Sequence, residues 1–259
     1  MDRLVPERPQ PKGALPLYLD PLYLEQPAVA LDQVRRELVR LAERDRAMLQ
    51  DCLSVVTTGS RSEVAALARA DDDVDALHGA IVTYLGKLSQ QDLVGSQPKQ
   101  LHRFIVIANY LEAFADVIEA NIVDLAEKRL DLALTVSSST IRVLEPLHRQ
   151  ICHNFDLMLG ALKTGDQEAA GMVAHKKKVV KKLAEDATEH LARRLIADEP
   201  NRLAAFQVET DIIESLQRLN ALTRLVARQL EEIPGSSDVA RKQIEPTEKK
   251  QTPSPDATP

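Results

Sequence analysis

A chain of 259 residues with 44% hydrophobic content can fill one large folded domain or two of about 100–130 residues. Aromatic residues make up 3%, Trp is absent and there are 9 Gly, a bias that favours long packed helices over sheets. The net charge of −6 argues against nucleic-acid binding. Cys52 and Cys152, without a CxxC, exclude a disulfide framework and read as buried thiols in a reducing compartment.

Residues 1–27 carry Pro6, Pro9, Pro11 and Pro16 where a signal peptide would need an apolar run, and are predicted to form an extended, proline-rich linker. A first helix is predicted from about Ala28 to Val56, with Leu31, Val34, Leu38, Leu41, Met48, Leu49 and Cys52 at helical spacing. Thr57-Thr58-Gly59 ends it. Ser60 or Ser62 then caps a second helix to about Leu88, with Glu63 supporting its first turn. Gly79 and Gly86 within that helix read as close-packing positions. A third helix runs from about Lys99 to Leu132 on a stripe of Phe104, Ala108, Leu111, Ala115, Ile118, Ile122 and Leu125.

Ser137 to Ser139 open a fourth helix that closes at Lys163-Thr164-Gly165. Asp166 caps a fifth, which extends to about Ala197, and a sixth covers roughly Arg202 to Ile233. From Pro234 to Pro259 the chain is too polar to offset its ordering entropy, so disorder is expected. The most apolar stretch, 104–125, is broken by Glu112, Asp116, Glu119 and Asp124. A membrane-spanning helix needs about 20 largely uncharged residues, so a water-soluble, cytoplasmic chain is expected.

The two halves read as copies. A shift of 106 places Leu38 on Leu144, Leu41 on Leu147, Gly59 on Gly165, Leu77 on Leu183 and Leu85 on Leu191. The fold class that follows is all-α: two tandem antiparallel three-helix bundles, residues 28–135 and 136–233, followed by a disordered tail at 234–259.

Two acidic lines stand out. Asp71-Asp72-Asp73-Val74-Asp75 leads to His78, and Glu112, Asp116 and Glu119 fall within about 40° of one another around a helix. Two facing helices that each present an i, i+4 acid pair can supply four oxygens to one hard cation. The alternative is acids flanking a helix interface and paired with Arg or Lys. The second half lacks both lines: Lys177 and Lys181 stand where Asp71 and Asp75 would, and Gln217 and Ala221 where Glu112 and Asp116 would. Any cation site is therefore expected in the first half alone.

These residues resemble the PhoU family, whose two three-helix repeats each carry an acidic line before Val-Asp-x-Leu and a later Leu-Glu-Arg-Ile-Gly-Asp. Here the lines are Asp71 to Leu77 and Leu111-Glu112-Ala113-Phe114-Ala115-Asp116. The start, Leu17-Tyr18-Leu19-Asp20 followed by Gln26 to Leu31 and Arg35-Arg36-Glu37-Leu38, looks like the opening of the cytosolic PhoU-like tail of bacterial sodium/phosphate cotransporters. The resemblance covers roughly residues 17–232 and implies a phosphate-signalling domain able to hold an iron or zinc cluster. Carried over by position, Asp71, Asp75, Glu112 and Asp116 would be its ligands. Ala113 and Ala115 depart from the family's Arg and Gly.

Asp72, Asp73 and Glu119 are candidate outer ligands, and His78 continues the first line. The run His175 to Lys182 holds five lysines, either a solvated helix face or an anion patch for phosphate or acidic lipid headgroups at a membrane surface. No GxGxxG, Walker loop or GxSxG is present. Glu145-Pro146-Leu147-His148 is the one match to the Glu-x-x-His pattern of di-iron carboxylate enzymes, which need two. The resulting expectation is a non-catalytic cytosolic regulatory domain in phosphate transport, partnered by a phosphate transporter or phosphate-sensing protein, with a homodimer left open. The alternatives are a stand-alone metal-binding PhoU-type regulator and, in another class, a di-iron helical-bundle enzyme.

Overall fold

A computed structural model describes residues 14–196 and 201–233. Among them every long element is helical and no strand forms: α1 (Pro27–Thr58), α2 (Arg61–Leu88), α3 (Gln97–Val117), a π-helical stretch (Ile118–Val123), α4 (Asp124–Asp131), α5 (Ser138–Thr164), α6 (Gln167–His175), α7 (Lys178–Arg194) and α8 (Arg202–Glu231). The six predicted rods are all present, two of them interrupted. The tail from Pro234 and residues 1–13 of the predicted linker lie outside the described residues; in the rest of that linker, Pro21–Tyr23 forms a short 3-10 turn rather than an extended run.

Caps explain where the rods begin. Ser60 and Glu63 form a reciprocal capping box at α2, with the Ser60 N–H donating to Glu63 Oε2 at 2.8 Å. Ser137 caps α5 and Asp166 caps α6 through side-chain oxygens. Ser60→Ala should lower stability by about 1 kcal/mol, read as a shifted urea midpoint at constant slope. A shift too small to resolve would mean that packing alone sets the start of α2.

The predicted third rod changes register where it follows the acids. The π-helical turn at 118–123 carries one extra residue into the helix before α4 resumes. At the end of that rod Arg129, nearly buried, donates through Nε to Val56 O at 2.9 Å and through Nη2 to Gly59 O. The open C-terminal carbonyls of α1 are thus satisfied from α4.

The predicted fifth rod breaks between α6 and α7, at Lys176 and Lys177. Arg224 on α8 takes the carbonyl of Ala174 through Nε and Nη2 at 3.0 and 2.8 Å. That carbonyl would otherwise serve the next helical turn, so the helix ends there. The paired glycines also differ: Gly165 is left-handed at φ +74°, whereas Gly59 is extended. A Cβ on Gly59 would lie 2.6 Å from Val55 O, so that position requires glycine for space, not for φ. Gly79 and Gly86 do not pack closely: both are exposed, and a Cβ on either meets nothing within 4 Å.

α1 packs on α2 and α3, and α8 packs on α5, α6 and α7; α1 against α5 and α3 against α8 join the two bundles. One apolar core runs through both halves, including Phe114 and Phe155, whose rings lie 4.9 Å apart with planes tilted by 52°. Residues 14–26 lie along α1 and α2 as a strap: Glu37 accepts the Leu17 and Tyr18 N–H groups at 2.9 Å each, and the Tyr84 hydroxyl donates to Asp20 O at 2.9 Å. No helix among the described residues is long and apolar enough to cross a membrane.

Candidate functional site

α2 and α3 are packed neighbours, and Asp116 and Glu119 of the third rod act electrostatically on Asp71 of α2. Asp71 and Glu112 are half-buried, while Asp75, Asp116 and Glu119 are exposed. Burial first, and then the charges of Asp75, Asp116, Glu119 and Asp72, push the Asp71 carboxyl up to about 7. Glu112 is also raised, by burial and by Asp116 and Asp75, against a small opposing pull from His78. Asp71 and Glu112 thus each feel the charges of Asp75 and Asp116.

The bland alternative was pairing with Arg or Lys. No ion pair reaches Asp71, Asp75, Glu112 or Asp116 among the described residues, whereas many other acids of the chain have one. Asp73 is the exception within its line. It accepts the Ala14 N–H at 3.0 Å and pairs with Arg44 at 3.4 Å, which makes it an anchor of the strap. His78 Nε2 lies 3.0 Å from Asn109 Oδ1, so its ring is already engaged across α2 and α3.

One acid escaped the sequence reasoning. Asp45 on α1 is 0% exposed, and neither carboxylate oxygen has a hydrogen-bond partner. Its carboxyl is held well above the usual range by burial and by Asp71, whose Oδ1 is likewise buried and unpartnered. The signal was in the sequence: Asp45 lies in register with Leu38, Leu41, Met48 and Cys52, an acid in the middle of an apolar stripe. Buried carboxylate oxygens without donors are costly, and such groups are met by a proton or a cation.

Among the described residues, no three His, Cys, Asp or Glu side chains are gathered closely enough to hold a metal ion as they stand. The buried, unpartnered oxygens of Asp45 and Asp71 are nonetheless of the donor type a hard cation takes. In the second half, His148 Nε2 donates to Leu49 O at 2.7 Å, which ties α5 to α1 and leaves the lone Glu-x-x-His match structural. Cys52 is buried and Cys152 half-buried, and both are free thiols. Lys176, Lys177, Lys178, Lys181 and Lys182 are all exposed, with Lys181 and Lys182 paired to Glu185 and Asp186 at 3.6 and 2.7 Å.

Long helices packed through one core, with acidic lines on the second and third rods, define an all-α helical-bundle fold. Residues 38–126 match the PhoU domain family. The fold matches the crystal structure of PhoU from Pseudomonas aeruginosa with a TM-score of 0.69 at 17% identity, over 77% of this chain and 94% of that one. Among curated proteins, the chain is similar to the "Putative inorganic phosphate export protein YjbB" of Salmonella typhimurium, 25% identical over 237 residues. The protein of the same name in Escherichia coli K12 is 24% identical over 223 residues. These alignments cover 91% and 86% of this chain but only 44% and 41% of the relatives, so the chain spans less than half their length.

Proposed function

We propose that this chain is a non-catalytic cytoplasmic regulatory domain in phosphate transport, working against a phosphate transporter or phosphate-sensing partner. The observation that carries this reading is the joint one: a PhoU fold over most of the chain, and an alignment that takes up nearly all of it but less than half of relatives named for phosphate export. A regulatory tail of the kind found on sodium/phosphate cotransporters agrees with both. Expression of the full chain in cells lacking it should change the rate of labelled-phosphate efflux. Equal efflux with and without the chain, at matched protein levels, would remove the reading.

The acidic region supports a cation-responsive form of this role. Asp71, Asp75, Glu112 and Asp116 would hold an iron or zinc ion or cluster, or another hard cation, and the ion would neutralise their repulsion and draw α2 and α3 together. The domain's own contribution is positional: the helix pair sets the carboxylates, and Asp73 links the same helix to the strap through Ala14. A stand-alone metal-binding regulator remains the second reading, favoured by the same unpaired acids. Metal analysis alone would not separate the two; co-purification with a transporter would.

The lysine run supports contact with an acidic surface. It lies at the exposed break between α6 and α7, beside the exposed Met172 and Val179. Near an anionic membrane each lysine contributes about 1 kcal/mol, screened by salt. Co-sedimentation with phosphatidylserine vesicles should fall as salt rises, and should fall again when Lys176, Lys177, Lys178, Lys181 and Lys182 are changed to Gln. Unchanged sedimentation of that variant would return the run to an ordinary solvated face.

A further inference from the structure

We propose that Asp45 is an inner ligand of the cation site, so that a hard divalent cation is held by α1 as well as by α2 and α3, seated between Asp45 and Asp71. This rests on the cation-responsive reading above and adds a third helix to it. Asp45 occupies an apolar stripe and is fully buried, with both oxygens unpartnered. The arginines nearest it in sequence are committed elsewhere: Arg40 to Glu37 and Leu15 O, Arg44 to Asp73, and Arg46 to Asp156. Asp71 has a buried, unpartnered Oδ1 and interacts electrostatically with Asp45 on the inside. On the outside it interacts with Asp75, Asp116 and Glu119, all of them exposed. The acids thus form a graded path from solvent to the interior, with Asp45 at its closed end.

The donor set specifies the ligand class. Every group on that path is a carboxylate, and the one nearby imidazole, His78, is engaged by Asn109. Oxygen-only sites suit Mg²⁺, Mn²⁺ or Ca²⁺, and ferrous iron more than zinc. A cation at the inner position would join three helices and remove the unmet demand of both buried carboxylates. The amide of Asn has the shape of the Asp side chain but no charge, so Asp45→Asn should leave the metal-free fold intact while weakening the cation.

The test uses the full chain, stripped with chelator and titrated with Mn²⁺. Free Mn²⁺ is followed by electron paramagnetic resonance, alongside thermal melting. Wild type should bind Mn²⁺ and melt higher with it. Asp45→Asn should bind at least about tenfold more weakly, since loss of even an outer-shell partner costs about that much. Its metal-free melting temperature should be no lower than that of wild type. A rim variant, Asp75→Asn with Asp116→Asn, should also weaken binding. If the rim variant loses Mn²⁺ and Asp45→Asn keeps wild-type affinity, the inner ligand is refuted while the cation reading stands. If wild type binds neither Mn²⁺, Mg²⁺, Ca²⁺, ferrous iron nor zinc, both are refuted. Should Asp45→Asn fail to fold, paramagnetic broadening in the unmutated protein decides: bound Mn²⁺ should erase the Asp45 and Asp71 backbone amide signals, and a sharp Asp45 signal would overturn the proposal.

Discussion

Metal-free protein should melt at a higher temperature at pH 5.5 than at pH 7.5, the reverse of ordinary acid weakening. Asp71 has a folded pKa of about 7, and Asp45 is also held well above the carboxylate range, while both return to about 3.9 when unfolded. Between those limits the folded chain binds more protons than the unfolded chain, so stability falls as the pH rises through the window. Only part of Asp71 is removed from water, so its share is discounted; the expected result is a higher melting temperature at pH 5.5 than at pH 7.5.

His148 acts in the other direction. Burial depresses its pKa, so the unfolded chain gains a proton first and stability is lost as the pH falls below about 6.5. Asp45→Asn with Asp71→Asn removes the carboxylate contribution and leaves that of His148. The double variant should therefore lose the rise at pH 5.5 and show the shallow opposite slope. Saturating cation should remove the rise in wild type as well, by stabilising the ionised carboxylates at pH 7.5. An identical pH profile in wild type and double variant would show that these two carboxyls titrate alike in the folded and unfolded chains.

The apolar pattern alone was enough to find the rods. Leu31, Val34, Leu38, Leu41, Met48, Leu49 and Cys52 are all buried, as are all seven members of the third rod's stripe. Such positions repeat every three or four residues, so their meaning is local and survives in a single sequence. Caps were legible for the same reason, Ser60 with Glu63 and Asp166 being settled within one turn. What escaped depended on partners distant in the chain. The break at Lys176 comes from Arg224, about fifty residues onward, and Asp73 became a strap anchor because Ala14 and Arg44 reach it.

The acidic cluster was half legible. Asp71, Asp75, Glu112 and Asp116 stand out by i, i+4 spacing, and in the structure Asp71 and Glu112 each feel the charges of Asp75 and Asp116. Asp45 has no such spacing partner on α1 and is coupled to Asp71 only through helix packing. Its legible sign was a charge inside an apolar stripe. Glu37 shows the same sign but is satisfied by the strap and Arg40, whereas both Asp45 oxygens are without a partner, a difference the pattern alone does not carry.

The second bundle contains the opposite solution to a buried charge, and its disruption should give the largest loss of stability in the chain. Arg202, 7% exposed, begins α8, where the helix dipole disfavours a cation. Its guanidinium runs back to Glu209, which is 0% exposed, and Nη2 meets Oε2 at 2.6 Å. Arg202 Nε and Glu209 Oε1 are buried without a partner of their own. Arg202→Leu leaves a bare carboxylate in the interior, and Glu209→Leu a bare guanidinium; removing one member of such a pair costs about 3–5 kcal/mol. For a chain of this size that lowers the melting temperature by roughly 10 °C. Replacing both by Leu should recover most of the loss, because the apolar pair carries no desolvation penalty. Single variants that melt with wild type would mean that water reaches the pair, and a double variant as weak as the singles would mean that the site cannot repack.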